Sequence, residues 1–386
     1  MVRRPRARGS ALKRILLLGG GHAQLAVLES LGRQPLTGVA VTLVAPADRT
    51  LYSGMLPGWV SGHYSLPACT IDVRALAHGA GVSFQAANAV AIDADARQVR
   101  LDGGVALGYD VLSLNVGSVP AASHVAGMQA HAVPVRPLSE FTSGWARVLE
   151  EAAAGRVREV SMVGGGAAGV ELALAMAARF RRARPSGAPH VRIFTEEEGI
   201  LMRYPSLARR WLRGCLDRAG VGVHERSPVR EVGADFIRIA TTLTFSNQAT
   251  FWVTGPAAAP LLRSSGLQVD ESGFVAVNDF CQSLSHPEVF AAGDCATRLG
   301  EALPKSGVFA VRAGPALAAN VRAAVAGGSL QVCHSRRRHL ALLATGDRHA
   351  VGTWGGLSFA GRWAWRWKDR IDRAFVARYA RLREGG

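Results

Sequence analysis

An α/β fold with two parallel-sheet units is what the 386-residue sequence predicts, on three observations. A strand, glycine turn, helix and strand succeed one another near residue 19 and again near residue 164. The two copies stand a domain's length apart, which is no solenoid period. Apolar strands ending in glycine follow them, in residues 111–117, 250–255 and 289–293.

The elements follow in order. Ile15–Leu18 is an apolar run that stops at Gly19-Gly20-Gly21, and residues 22–31 then place apolar side chains at helical spacing. The β-rich run Val39–Val44 ends at Pro46, so the whole reads as a βαβ unit. Residues 82–116 read as short strands and turns ending in Tyr109–Gly117. In the second unit Val160–Val163 leads into Gly164-Gly165-Gly166-Ala167-Ala168-Gly169, a helix over about 168–182 and a strand at Val191–Phe194. The Pro, Gly and Ala of residues 183–190 mark a surface loop. The expected division is a discontinuous first domain over 1–135 and 256–330, a second domain over 136–255, and a C-terminal segment over 331–386.

Composition excludes several classes. Hydrophobic residues reach 48% and charged ones only 19%, which fits a folded chain and not a disordered one. The formal charge of +16 invites a nucleic-acid reading. Much of it, however, lies in residues 1–14, which carry six bases and no acid, and in residues 362–386, with eight bases against three acids. The core between them is nearly balanced, so no nucleic-acid partner is expected. Cys69, Cys215, Cys281, Cys295 and Cys333 are scattered, without metal spacing or an assignable pair, and fit a reducing compartment. No metal site is expected. The charge-free stretches 111–135 and 241–262 contain prolines and polar residues, so neither reads as a membrane span. The expected location is the cytoplasm or the inner face of the cell membrane, without crossing it.

The glycine turns carry the chemistry. In Gly-x-Gly-x-x-Gly between strand and helix, the first glycine permits the tight turn and the second lets backbone approach a pyrophosphate. The third allows close helix–strand packing, and the helix N-terminus offers amides to phosphate. Gly164, Gly166 and Gly169 satisfy all three positions; Gly19 and Gly21 satisfy two, with Gln24 at the third. A carboxylate ending the second strand would take ribose hydroxyls. Glu196, Glu197 and Glu198 stand there in the second unit and disfavour a 2′-phosphate, so NADH is expected over NADPH. In the first unit Ala45-Pro46 occupy that place. A ligand-free glycine turn and a solvated acidic turn are the plainer readings of the same residues.

The order Gly19–Gly21, Tyr109–Gly117, Gly164–Gly169, Thr254-Gly255 and Ala292-Gly293-Asp294 resembles the flavoproteins with two Rossmann-like dinucleotide-binding domains, the pyridine nucleotide-disulfide oxidoreductase superfamily. Tyr52–Gly58, Leu303–Gly307, Ala344–Asp347 and Trp365–Asp369 make it similar to type II NADH dehydrogenase-like and sulfide:quinone reductase-like proteins, and to the FAD module fused to selenide, water dikinase. The resemblance implies FAD in the first domain, NAD(P)H in the second, inserted one, and a C-terminal α/β tail. By the same resemblance Gly19, Gly21, His22, Ala23 and Gly117 lie along FAD, Gly293 and Asp294 serve its ribityl chain, and Lys305 stands near the flavin ring. Gly164, Gly166, Ala167, Gly169, Glu196 and Gly255 would hold the nicotinamide nucleotide, with Glu171 reaching its carboxamide. Helix-dipole complementation for Glu171 and a surface position for Lys305 are the plainer alternatives.

The implied reaction is hydride transfer from NADH to FAD and onward to a small-molecule acceptor such as quinone. The acceptor is open, because the stretch Val308–Gly314 lacks the Gln-rich quinone-side segment and no flavin-side cysteine pair is present. A sulfur- or selenium-linked flavin oxidoreductase and a non-catalytic nucleotide-binding regulator are the alternatives. From Gly361, Ala364, Trp367, Ile371, Ala374, Phe375 and Leu382 fall at helical spacing, with Trp363, Trp365 and arginines beside them. That helix is expected to pack on its own chain or in a homodimer, or to lie on a membrane surface.

Overall fold

The computed structural model describes residues 12–121, 125–241, 243–301, 303–334 and 339–381. Arg3, Arg4, Arg6 and Arg8 of the basic N-terminal stretch and Leu382 of the C-terminal apolar set lie outside the described residues.

The first glycine turn joins β1 (Lys13–Leu18) to α1 (His22–Arg33), and β2 (Val39–Ala45), β3 (Ser83–Ala86) and β4 (Val111–Leu114) follow. The chain then builds a second unit. It comprises β5 (Ala132–Pro134), α2 (Leu138–Ala153), β6 (Glu159–Val163), α3 (Ala167–Ala183), β7 (His190–Phe194), α4 (Ser206–Ala219), β8 (Gly222–His224) and β9 (Ala249–Trp252). It returns with β10 (Val289–Ala291) and α5 (Gly307–Ala326), and ends in β11 (Leu340–Ala344), β12 (Ala350–Trp354), β13 (Leu357–Gly361) and α6 (Arg362–Arg381).

Two five-stranded sheets result, ordered β10-β4-β1-β2-β3 and β5-β9-β6-β7-β8, with every pairing parallel. Parallel strands covered on both faces must be apolar throughout, and Ile15, Leu16, Leu17 and Leu18 are all buried. In each sheet the strand that carries the glycine turn is central. Its successor lies on one side and a later strand on the other. The strand order therefore reverses there, and the crevice beyond the strand ends is the place where such sheets take ligands.

β11–β13 form a small antiparallel sheet beside α3 and α4. The turn after β11 comes so close to α3 that a Cβ at Gly346 would lie 2.6 Å from the Leu174 carbonyl oxygen. α6 reaches back to the first unit, where Arg378 grips Glu29 of α1 at 2.9 and 2.6 Å. The tail thus touches both units. Among the described residues no helix is long and apolar enough to cross a membrane.

Candidate functional site

At the first turn, Asn115 decides what fits. Its Oδ1 accepts from the amides of Ala23 and Gln24 at 3.1 and 3.3 Å, and its Nδ2 donates to the Ala292 carbonyl at 2.5 Å. One side chain thereby ties the start of α1 to the turn after β10. Gly19 has φ +95°, and a Cβ there would lie 2.4 Å from the Asn115 carbonyl oxygen. A Cβ at Gly21 would lie 2.2 Å from Asn115 Oδ1, and one at Gly293 2.6 Å from Nδ2. Gln24, at the third glycine's place, is fully buried and exchanges hydrogen bonds with β4: Ser113 Oγ donates to its Oε1 at 2.9 Å, and its Nε2 donates to the Ser113 carbonyl at 3.2 Å.

His22 follows the turn, beside Tyr52 (centroids 5.4 Å apart) and Phe375 of α6 (6.0 Å). Its Nε2 is buried with no hydrogen-bond partner. Burial lowers its pKa to about 4, with Arg136 adding to the shift and Asp294 opposing it. Asp294 lies beyond Gly293 and pairs with Arg136 Nη1 at 2.5 Å; the same guanidinium donates to Ser118 Oγ. Gly117 has φ +74° and nothing within 4 Å of where a Cβ would project. Lys305 is not the free surface lysine of the plainer reading. Its Nζ donates to the Ala296 carbonyl and, at 2.7 Å, to Thr297 Oγ1, lies 4.1 Å from the centre of the Phe274 ring, and has its pKa lowered by burial.

The second turn is built differently. Gly164 has φ +126° and its Cβ position is 2.5 Å from the Val253 carbonyl oxygen, while that of Gly169 is 2.0 Å from the Gly164 carbonyl oxygen. Both glycines are demanded by backbone packing. Gly166 is not: nothing lies within 4 Å of its Cβ position, and as N-cap it offers α3 no side-chain acceptor. Ala167 is the first residue of α3, and Gly255 lies beyond β9 with nothing within 4 Å of its Cβ position. Glu196 is exposed just past the end of β7, and its neighbour Glu198 pairs with Arg226 at 3.1 Å.

Glu171 sits one turn deeper in α3 than its expected place at the helix start, so helix-dipole complementation does not describe it. Its Oε1 accepts from the Ala344 amide of β11 at 2.7 Å. Burial pushes its pKa up to about 7, opposed by Lys368. Lys368, on α6, donates to the Gly54 carbonyl at 2.7 Å and to Asp372 Oδ2 at 2.9 Å. A polar seam therefore joins α3, the Tyr52–Gly58 segment and the last helix.

That helix corrects the expected apolar stripe. α6 buries Ala364, Asp372 and Tyr379, and Phe375 stacks on Tyr52 at 4.3 Å. Trp367 and Ile371, expected on the packed face, stay 38% and 40% exposed beside Trp363 at 53%. Phe359, Trp363 and Trp367 stack into a ladder (5.0 to 6.4 Å between centroids), with Leu357 and Trp354 exposed nearby. Arg362, Arg366 and Arg370 are exposed at four-residue spacing along the same helix.

Asn115, Ser118 and Arg136 are the residues that sequence reasoning missed as members of the site. Arg136 follows β5, and no motif connects it with Asp294. Asn115 had a readable signal, a polar side chain ending an apolar strand before a glycine.

Two central glycine turns, each at the reversal of a parallel sheet, define a two-dinucleotide-fold protein, and the comparisons agree. Residues 13–320 match the pyridine nucleotide-disulphide oxidoreductase family, and the chain belongs to it. It is an oxidoreductase whose cofactors are FAD and NAD(P)H. The chain is similar to a demethylphylloquinone reductase of Synechocystis, 27% identical over 91% of this chain and 89% of that protein. A probable mitochondrial NADH-ubiquinone oxidoreductase of Schizosaccharomyces pombe is 23% identical over 81% and 63%. Among solved structures, the sulfide:quinone oxidoreductase of Aquifex aeolicus shares the fold with a TM-score of 0.78 at 15% identity, covering 96% of this chain and 92% of that one. The NDH2 of Plasmodium falciparum, solved with NADH, does so with 0.77 at 14%, covering 95% and 97%.

Proposed function

We propose that this chain passes electrons from NADH through FAD to a quinone at a membrane surface. The observation that carries the reading is the second glycine turn. There Gly164 and Gly169 are fixed by backbone packing, whereas Gly166 opens on space at an uncapped helix start, with the Glu196 carboxylate at the neighbouring strand end. A pyrophosphate needs that combination of close backbone approach, free amides and helix dipole. The first turn fits FAD through the buried, unpartnered Nε2 of His22 and the carboxylate of Asp294.

When bound, FAD supplies hydride acceptance and electron release. The chain's own residues bind and orient. Gly19, Gly21, His22 and Ala23 would line the pyrophosphate, Gly117 would leave room beside it, and Asp294, placed by the Gly293 turn and paired with Arg136, would accept from the ribityl hydroxyls. Lys305 places a cation beside the Gly293–Asp294 turn. Gly164, Gly166, Ala167, Gly169 and Gly255 shape the NADH cleft, and Glu196 takes its ribose. Glu171 holds a carboxyl near half-protonation at neutral pH, with Oε1 on the Ala344 amide and its other oxygen left for the carboxamide.

The quinone is supported by two relatives named for quinone substrates. The membrane surface is supported by the aromatic ladder flanked by arginines, the pattern of an interfacial helix. An anaerobic NADH titration tests the core reading: the flavin absorbance bleaches with one equivalent of NADH and returns on addition of a quinone. A protein that stays colourless after reconstitution with FAD would overturn it. For the membrane, full-length protein is expected to float with anionic vesicles and the W363A/W367A variant to stay behind. Equal flotation would overturn the membrane role of the ladder, and a dimer that this variant dissociates would assign it to self-association.

A further inference from the structure

The cysteines are scattered in sequence, yet the fold brings two of them together. Cys281 occupies a tight turn at φ +59°, whose Asn278 Oδ1 accepts from the Phe280 and Gln282 amides at 2.9 and 3.1 Å. Cys333 follows α5, and its amide donates to the Asp279 carbonyl at 2.7 Å. Asn320, fully buried on α5, fastens both stretches. Its Nδ2 donates to the Phe280 carbonyl at 2.8 Å and the Gln331 carbonyl at 2.9 Å, and its Oδ1 accepts from the Gln331 amide at 2.6 Å. Arg298 closes the other side, donating to the Cys333 carbonyl and pairing with Asp279 at 3.4 Å. The two thiols are neighbours that influence each other directly. Both line a cavity of about 120 Å³ shared with Asp294, Lys305 and His334.

We propose that Cys281 and Cys333 form a peroxide-oxidisable dithiol, a reversible disulfide site in the first unit. The cavity has room for a molecule the size of hydrogen peroxide beside both thiols. Cys333 is the attacking thiolate: the neighbouring Cys281 thiol and the Arg298 guanidinium hold its pKa below the usual thiol value, while the Cys281 thiol is pushed up. Cys333 Sγ attacks one peroxide oxygen; the S–O bond forms, the O–O bond breaks, and the leaving hydroxide takes up a proton. The Cys281 sulfur then attacks the sulfenic sulfur; the S–S bond forms, and the displaced hydroxyl leaves as water with the Cys281 proton. Two thiols lose two electrons and one peroxide becomes two waters. A small dithiol reverses the step. The other cysteines serve as controls: burial pushes Cys69 up to about 12 and Cys295 up to about 11, and half-buried Cys215 is raised as well. Asp294 and Lys305 of the nucleotide reading line the same cavity, but the oxidation needs no cofactor turnover, so its outcome is read separately from that reading.

Peptide mapping without reductant, after brief treatment of the full-length protein with hydrogen peroxide, tests it. A crosslinked 281–333 peptide pair, cleaved by dithiothreitol, is expected, with Cys69, Cys215 and Cys295 still alkylatable. C281S should leave Cys333 as a sulfenic acid captured by dimedone, and C333S should slow oxidation of Cys281 at least about tenfold. Should a variant fail to fold, peroxide competition against iodoacetamide on the wild-type chain decides, with Cys333 expected to react first. The proposal is overturned if no 281–333 crosslink forms, if Cys215 oxidises ahead of Cys333, or if Cys281 oxidises equally fast without Cys333.

Discussion

The two glycine turns read alike in sequence and are held by different means. In the first, Asn115 forbids side chains at Gly19, Gly21 and Gly293 and takes up the amides of Ala23 and Gln24. In the second, backbone carbonyls forbid side chains at Gly164 and Gly169, and Gly166 is left open. A glycine motif therefore mixes two demands, internal packing and ligand approach, and only the surroundings of each glycine separate them. Their titrating neighbours differ as well: His22 at the first is held neutral by burial, and Glu171 on the second unit's helix is held protonated up to about pH 7.

The largest effect should come from Gly169→Ala, whose Cβ would lie 2.0 Å from a backbone oxygen that has nowhere to move. A loss of about 3 kcal/mol or more is expected in denaturant unfolding. Gly166→Ala, three residues earlier, should change stability by less than about 0.5 kcal/mol yet weaken NADH binding about tenfold. Equal stability losses would erase the distinction between packing and ligand glycines.

The first turn offers a sharper cut. Gly21→Ala collides first with the Asn115 side chain and then with its carbonyl oxygen at 2.8 Å, whereas Gly19→Ala collides with backbone alone. Each should cost about 2 kcal/mol. Adding Asn115→Ala should recover about 1 kcal/mol of the Gly21 loss and none of the Gly19 loss in a double-mutant cycle. Additive behaviour in both cycles would remove Asn115 from its central role.

The pH dependences should have opposite signs. His22 has a folded pKa near 4 against 6.5 unfolded, so the unfolded chain binds the extra proton and stability falls as pH drops from 6.5 to 4. Glu171 has a folded pKa near 7 against 4.5, so its contribution is complete below 4.5 and is lost as pH rises towards 7. His22→Asn should flatten the first trend and Glu171→Gln the second, read from melting temperatures across pH 4–7. Unchanged slopes would mean that neither group is desolvated as described. Among the substitutions expected to destabilise, the smallest effect belongs to Ser113→Ala, which strips one bond from buried Gln24 and should cost about 1 kcal/mol by chemical denaturation.

Much of the fold was legible, for physical reasons that act locally. Ile15–Leu18 is apolar without interruption because a central parallel strand is covered on both faces, and the glycines break it where a helix must begin. Helix periodicity likewise placed α3 to within a residue or so and α6 as a helix. It could not say which face α6 would bury. Asp372 and Lys368 went inside because they pair with each other and the Gly54 carbonyl accepts from Lys368, and Trp367 stayed out.

The sequence by itself determined the two βαβ units, the nucleotide-type turns and the family, because strand and helix periods and turn glycines are local demands on neighbouring residues. The tertiary structure alone decided that Arg136 meets Asp294, that Asn115 governs three glycines, that Glu171 answers Ala344, and that Cys281 meets Cys333. Those contacts join residues distant in the chain, and which distant residues meet depends on how the sheets and the tail pack, a choice no local pattern encodes.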